Sequence, residues 1–289
     1  MSEWYKFESF CELNCEHSLP AYSLLVEFYF YSMLDNGRGA SINMASSAIK
    51  YVHNSNSISS PTDHPEVKQS TKECQKHWKK NRKRLKRDPF PLEALKIYSS
   101  CRPSDTSEFE FLQNIALVAN CFRGMMRGGE IVKCTGECIT FEDDNSVVVW
   151  DLGVTKTDRE GCDSRVPIDK GLDNSPTCPI TSIKNYEKLY IKKFKHGFKK
   201  SKNIFVNEDG SPLKTDDVRE IVQQMIRFAG RTEKCGAHSL RSGGATQAAK
   251  EGLSLPEIKA IGRWKSECVL RYIHAVVGVG KRLSKLMNL

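Results

Sequence analysis

The segment that most constrains the fold runs from Ala237 to Ala245, where a histidine and an arginine are followed by a run of small residues. His238 and Arg241 are three residues apart, so in a helix they share a face. Gly243 and Gly244 inside a helix each cost about 1 kcal/mol relative to alanine. That cost suggests a packing reason, because small residues let a neighbouring element approach closely. We therefore predict a tightly packed helix that carries both side chains at a functional site.

Hydrophobic periodicity predicts helices in most of the chain. In a first amphipathic helix, the residues at three- and four-residue steps are Leu24, Leu25, Phe28, Tyr29 and Ser32. In a second helix, the residues that share one apolar face are Ile42, Ala45, Ala48, Ile49 and Val52. The first 80 residues therefore predict a small helical domain.

The rest of the chain combines helices with short β-rich segments. We expect strands within 131–139, 147–150 and 165–168. We expect helices at 92–101, 109–121, 178–194, 215–228, 238–251, 256–263 and 267–275. Ser254 and Glu257 match a capping box at a helix start. The predicted fold class is mainly α with a small antiparallel β-sheet (α+β).

Positive charge is concentrated near the predicted domain boundary. Between Lys68 and Arg87 there are ten basic residues and one acidic residue, an excess equal to the net charge of +9 of the whole chain. Such a segment favours a polyanionic partner, although a solvated helix face or a nuclear import signal has the same pattern. Pro89 and Pro91 predict a stiff linker over 81–91, between domains at 1–80 and 92–289. The DNA-binding candidates are Lys79, Lys80, Arg82, Lys83, Arg84, Lys86 and Arg87.

Composition also bears on the cellular compartment, on metal binding and on membrane insertion. The eleven cysteines and the lack of a signal peptide predict reduced thiols in an intracellular protein, nuclear if the host is a eukaryote. Cys134 and Cys138 have the spacing of a metal knuckle but lack a second ligand pair, so no metal site is expected. No apolar run reaches 18 residues, so no membrane span is expected either.

Further charged and aromatic residues that suit a functional site occur before and after the histidine–arginine pair in the sequence. Arg127 and Glu130 precede the first β-rich segment, and Lys156 lies in a turn-rich connection between the second and third. Trp264 and Tyr272 follow on the next helical segments. In this order the chain resembles the tyrosine recombinases, the phage integrase family. Within that family, the stretch 262–273 is most similar to recombinases of eukaryotic DIRS, Ngaro and Crypton elements.

The resemblance implies an enzyme that cuts and rejoins double-stranded DNA at specific sites through a 3′-phosphotyrosine, with no cofactor, metal or ATP. It also implies that the N-terminal helices are a core-binding domain that clasps DNA opposite the catalytic domain. It further implies a homo-oligomer, a tetramer on paired DNA sites. The tail 273–289 is then expected to dock on a neighbouring subunit. Two alternatives are a relative that binds DNA without cutting it and a type IB topoisomerase.

Physical chemistry suggests a role for each residue. Guanidiniums grip phosphate oxygens in bidentate fashion, which suits Arg127 and Arg241. Tyr272 is the expected nucleophile, and His238 is the expected base that accepts its proton. Trp264 is expected to donate its indole N–H to a phosphate oxygen. Lys156 is the expected general acid for the leaving 5′-oxygen, and Glu130 is the expected orienting carboxylate. Arg123 competes with Arg127, and Lys170 competes with Lys156, because each lies close by in the sequence.

Overall fold

The computed structural model describes residues 1–81, 87–155, 160–161, 164–170 and 175–271. Its contacts divide the chain into two compact units, Met1–Leu85 and Lys86–Leu289. The boundary falls inside the segment 81–91. Each unit has its own apolar core, as expected for a chain of this length.

The first unit is helical. Its helices are α1 (Ser2–Leu13), α2 (Ser23–Asp35), α3 (Ile42–Ser55) and α4 (Pro65–Asn81). Phe7, Phe30 and Ile49 are fully buried at the centre of this unit. His53 is buried beside them, with Nε2 accepting a hydrogen bond from the Ala21 N–H at 3.0 Å.

The predicted face is confirmed for α3 and partly wrong for α2. In α3, Ile42, Ala45 and Ile49 are buried as expected. In α2, Leu24 is 59% exposed and Phe28 is 63% exposed. The buried residues of α2 are Leu25, Val26, Tyr29, Phe30 and Met33. The physical reason is that α2 is apolar on every side, so its periodicity does not select one face.

The second unit is mainly helical with one small sheet, which confirms the predicted fold class. Its helices are α5 (Leu92–Ser100), α6 (Glu108–Arg123), α7 (Gly128–Ile131), α8 (Pro179–Phe194), α9 (Thr215–Phe228), α10 (Ala237–Lys250) and α11 (Leu255–Gly262). Its strands are β1 (Ile139–Glu142), β2 (Val147–Asp151) and β3 (Arg165–Asp169). None of the helices in the described ranges is both long and apolar enough to cross a lipid bilayer.

The sheet has the order β1-β2-β3, and both strand pairs are antiparallel. Trp150 lies opposite Ile139 on one side and Val166 on the other. The expected first strand at 131–139 is wrong in its position, because β1 only begins at Ile139. The Glu130 side chain accepts a hydrogen bond from the Arg127 N–H at 3.0 Å, which caps a helical turn in place of a strand start.

Helix α6 forms the centre of this unit and is buried over most of its length. One polar side chain along it, Asn120, is satisfied internally. Asn120 accepts a hydrogen bond from Trp150 Nε1 at 2.9 Å and donates to the Pro179 carbonyl at 3.1 Å. These bonds join α6 to β2 and α8, so the sheet is held firmly against the helix that leads to Arg127.

Helix α10 packs as closely as its glycines predict. A Cβ atom at Gly243 would contact the Phe90 carbonyl oxygen, and one at Gly244 would contact the Phe122 carbonyl oxygen. The Phe90 N–H also donates to the Ser239 carbonyl at 2.9 Å, which fixes the chain before α5 along α10. Backbone therefore lies directly against the helix that carries His238 and Arg241.

Gly244→Ala is expected to destabilise the second unit. The added methyl group meets backbone, which has no alternative rotamer, so overpacking of about 3 kcal/mol outweighs the roughly 1 kcal/mol gain in helix propensity. The net loss of about 2 kcal/mol corresponds to a Tm lower by about 4–8 °C, measurable by thermal unfolding. Gly197→Ala is the matched control, because its Cβ would meet only Glu187 Oε1 at 3.6 Å. Equal melting temperatures for the two variants would contradict this packing argument.

Candidate functional site

Arg127 is held at the start of a short helix. Helix α6 ends at Arg123, and Arg127 is the N-cap of α7. The Arg127 guanidinium forms an ion pair with Glu130 Oε1, and Arg123 is exposed on the last turn of α6. Between these two arginines, Arg127 is therefore the one that the Glu130 carboxylate fixes in position.

Glu130 holds a second arginine, Arg263, which was not among the predicted site residues. Its other oxygen, Oε2, lies 3.3 Å from Arg263 Nη2. Burial raises the pKa of the Glu130 carboxyl, but the Arg127 N–H and guanidinium, together with Arg263, outweigh it and hold the pKa below its ordinary value. Glu130 is therefore a carboxylate that positions two guanidiniums, one on each oxygen.

Arg241 is almost fully buried, with 1% of its surface exposed. Its Nη1 donates to the Met125 carbonyl at 2.8 Å, and its Nη2 donates to the Gly262 carbonyl. The guanidinium carbon lies 4.2 Å from the centre of the Trp264 ring, in a cation–π contact. These contacts fix Arg241 to the end of α6 and the end of α11 at the same time.

Trp264 lies in a small apolar cluster. The ring packs with Met125, Ala245, Ile258 and Val269, and it folds back so closely on Gly262 that a Cβ there would contact it. In this position the ring supports the Arg241 guanidinium. Donation from the Trp264 indole to a phosphate remains a prediction.

Arg263 lies between Gly262 and Trp264 in the left-handed conformation, with φ of 57°. Its Nη1 is buried and has no hydrogen-bond partner among the residues that the structure describes. Burial, followed by the charge of Arg127, lowers the pKa of its guanidinium, and Glu130 opposes them. Arg263 was not among the predicted site residues, because its neighbour Trp264 was chosen instead. The signal in the sequence was a basic residue directly before that tryptophan.

His238 is exposed on the first turn of α10. Partial desolvation and the positive charges of Arg127, Arg241 and Arg87 lower the pKa of its imidazole below the ordinary 6.5, although Glu130 opposes them. The Arg87 guanidinium also lies against the backbone of Gly236, just before α10. Desolvation and the surrounding arginines therefore favour the neutral form of the His238 imidazole.

Several predicted site residues are not among the described residues. Lys156 and Tyr272 lie outside them, as do the DNA-binding candidates Arg82, Lys83, Arg84 and Lys86. Of the other DNA-binding candidates, Lys79 and Lys80 are exposed in the last turn of α4, and Arg87 is exposed in the second unit. The structure thus brings together Arg127, Glu130, His238, Arg241 and Trp264, from three separated stretches of sequence.

The cysteine pair considered as a metal knuckle has only local partners. The Thr135 N–H donates to the Cys138 sulfur at 3.3 Å, and the Cys134 thiol donates to the Glu130 carbonyl at 3.6 Å. In the part of the chain that the structure describes, no group of three or more His, Cys, Asp or Glu side chains is placed to hold a metal ion.

Comparison with known proteins gives one family. Residues 93–277 match the model of the phage integrase family. No curated protein matches the sequence.

Solved structures share the fold. The Tn1549 transposon integrase in complex with transposon right-end DNA has a TM-score of 0.59 at 13% identity, over 91% of this chain and 86% of that one. A lambda integrase dimer bound to a COC′ core site has a TM-score of 0.56 at 15% identity, over 94% and 88%. The XerH site-specific recombinase in a post-cleavage complex has a TM-score of 0.52 at 21% identity, over 70% of this chain. The present chain spans only 53% of the XerH chain.

Proposed function

Because the chain belongs to the phage integrase family, the tyrosine recombinases, we propose that it cuts and rejoins DNA at specific sites through a 3′-phosphotyrosine, without metal or ATP. One observation carries this proposal. The Arg127 guanidinium is held by Glu130 at the start of α7, and Arg241 lies one helical turn from His238 on α10. Both guanidiniums lie close enough to the imidazole to add to the larger effect of desolvation, which lowers its pKa. Two fixed cations beside a neutral base form a site suited to a phosphodiester and an incoming hydroxyl group.

The proposed reaction is a direct displacement at phosphorus. The Tyr272 Oη–P bond forms as the bond from phosphorus to the 5′-oxygen breaks. The neutral His238 takes the tyrosine proton, and Lys156 gives a proton to the leaving 5′-oxygen. Arg127 and Arg241 stabilise the negative charge that gathers on the non-bridging oxygens. Rejoining is the reverse reaction with a 5′-hydroxyl of another strand, so the phosphotyrosine link conserves the bond.

DNA is the proposed partner, in an oligomer assembled on paired sites. The Tn1549, lambda and XerH structures are all recombinases bound to DNA, and the lambda enzyme is a dimer. In the present chain, Lys79 and Lys80 at the end of α4 offer exposed positive charge for the DNA backbone. Arg87 offers a further exposed charge next to His238.

The direct test is capture of a covalent adduct. The protein is incubated with fragmented, randomly nicked DNA from the host genome, because a nick lets the freed strand diffuse away and traps the intermediate. DNA that stays attached to protein under denaturing conditions is sequenced to define the site. Strand exchange between two such duplexes would support recombination. Relaxation of supercoils without exchange would favour a topoisomerase, and no adduct at all would favour a relative that binds without cutting.

The His238 imidazole is expected to titrate below pH 6.5 in the free protein, and Arg87→Gln is expected to raise its midpoint, because desolvation and the neighbouring guanidiniums disfavour the charged imidazolium. Histidine ring signals followed by NMR against pH give the midpoint, with the His238 signal assigned by its loss in His238→Gln. Arg219→Gln, which removes an exposed arginine, is the control and should leave the midpoint unchanged. A midpoint above 6.5 would contradict the neutral-base role.

A further inference from the structure

We propose that Arg263 is a further catalytic residue that binds a non-bridging oxygen of the scissile phosphate beside Arg127. This inference rests on the proposed function and adds a residue to its site. The starting observation is that one carboxylate, Glu130, holds both guanidiniums, with Oε1 on Arg127 and Oε2 at 3.3 Å from Arg263. An anion that reaches Arg127 therefore comes close to Arg263.

Arg263 has donor capacity that the described protein does not use. One terminal nitrogen, Nη2, faces Glu130, and the other, Nη1, is buried without a hydrogen-bond partner among the described residues. A buried N–H of a charged group is costly when it lacks an acceptor. A phosphate oxygen is an acceptor of the right charge, and guanidinium binds it more tightly than it binds a neutral group.

The backbone at Arg263 supports the same conclusion. It is the C-cap of α11 and has φ of 57°, a left-handed conformation in which glycine is the favoured residue. A side chain in that conformation costs about 1 kcal/mol or more. The turn sends the Trp264 ring into the apolar cluster against Arg241 and leaves the Arg263 guanidinium at Glu130. The left-handed conformation therefore directs two neighbouring side chains to different places. Trp264 supports Arg241, and Arg263 faces the site.

Charge balance gives the reason for a third guanidinium. Arg127, Arg241 and Arg263 with Glu130 carry a net charge of two positive units, with His238 neutral. A phosphodiester has one negative charge, and a second gathers on its oxygens as the tyrosine attacks. The described cluster thus matches the charge of the transition state more closely than that of the bound substrate, and loss of Arg263 would remove that match.

The test uses two DNA substrates built on the site recovered by adduct sequencing. One has an ordinary scissile phosphate, and the other has a methylphosphonate there, which replaces a charged non-bridging oxygen with a neutral methyl group. Both stereoisomers are used. Arg263→Met is expected to form adduct about 100-fold more slowly on ordinary DNA, as for loss of one charge-stabilising donor. On one methylphosphonate isomer, adduct formation by Arg263→Met is expected to be less than about 10-fold slower than by the unaltered protein, because less negative charge then needs stabilising.

Three controls make the result decisive. Arg263→Lys keeps the charge and should fall between Arg263→Met and the unaltered protein on ordinary DNA. Arg127→Met should show the same rescue by a neutral phosphate, whereas Arg219→Met, at an exposed ion pair 3.9 Å from Asp216, should match the unaltered protein on all substrates. Thermal unfolding identifies any variant that fails to fold.

Either of two results would overturn this inference while leaving the proposed function intact. The first is normal cleavage by Arg263→Met. The second is an equal loss of adduct formation by Arg263→Met on charged and neutral phosphates, which would mark a purely structural role. If the unaltered protein forms no adduct, the proposed function falls and this inference falls with it. The two failures are therefore distinguishable by whether the unaltered protein cleaves.

Discussion

Tyr272→Phe is expected to abolish covalent attachment to DNA, with adduct formation reduced at least about 10⁴-fold, because the phenyl ring has no oxygen to attack phosphorus. Binding to DNA should persist, since it depends on basic residues elsewhere. The measurement is a denaturing gel of the protein with nicked substrate DNA, together with a binding assay at several salt concentrations.

The matched control is Tyr51→Phe, at a tyrosine that is 66% exposed in the first unit. It should form adduct at the rate of the unaltered protein. An adduct that persists in Tyr272→Phe would place the nucleophile at another residue and would remove the central assignment of the proposed mechanism.

Arg241→Ala is expected to lose both stability and cleavage, and this separates it from Arg127→Ala. The Arg241 guanidinium donates to two buried carbonyls, of Met125 and Gly262, and stacks on Trp264. Each carbonyl left without a donor costs about 1–3 kcal/mol, so we expect a loss of about 3–5 kcal/mol in the free energy of unfolding. Chemical denaturation measures it.

Arg127→Ala is expected to lose less free energy of unfolding than Arg241→Ala but to lose as much cleavage activity. Arg127 is 21% exposed, and its partner Glu130 keeps Arg263 when Arg127 is removed, so we expect a stability loss of only about 1 kcal/mol. Cleavage should fall about 10²–10³-fold. Arg241→Lys, which keeps a charge and one donor direction, tests Arg241 in a protein that folds. Equal stability of Arg127→Ala and Arg241→Ala would contradict the structural role of Arg241.

Sequence reasoning was most reliable where apolar and polar residues alternate clearly. The face of α3 was predicted from Ile42, Ala45 and Ile49, because the opposite side of that helix is polar. The face of α2 was not, because Leu24 and Phe28 are as apolar as the residues it buries. The capping box of Ser254 and Glu257 was also confirmed, since both of its hydrogen bonds are local.

Prediction failed where a side chain joins distant segments. The helical turn after Arg127 was not predicted and the first strand was placed too early, because that helix is one turn long and depends on the Glu130 cap. The contact between Arg263 and Glu130 could not be predicted, because the two residues are 133 positions apart in the sequence. The charge of a lone arginine gives no information about which carboxylate it meets.

The sequence by itself determined the mainly helical fold and the family, and it selected Arg127, His238 and Arg241 as candidate site residues, because spacing within a helix and the order of residue types are local properties. Only the tertiary structure decided what surrounds those residues. It buried Arg241 between two carbonyls and a tryptophan, lowered the pKa of His238 through desolvation and neighbouring guanidiniums, and set Arg263 against Glu130. The physical reason is that burial and electrostatic interaction depend on distance in space, which packing between α6, α10 and α11 fixes.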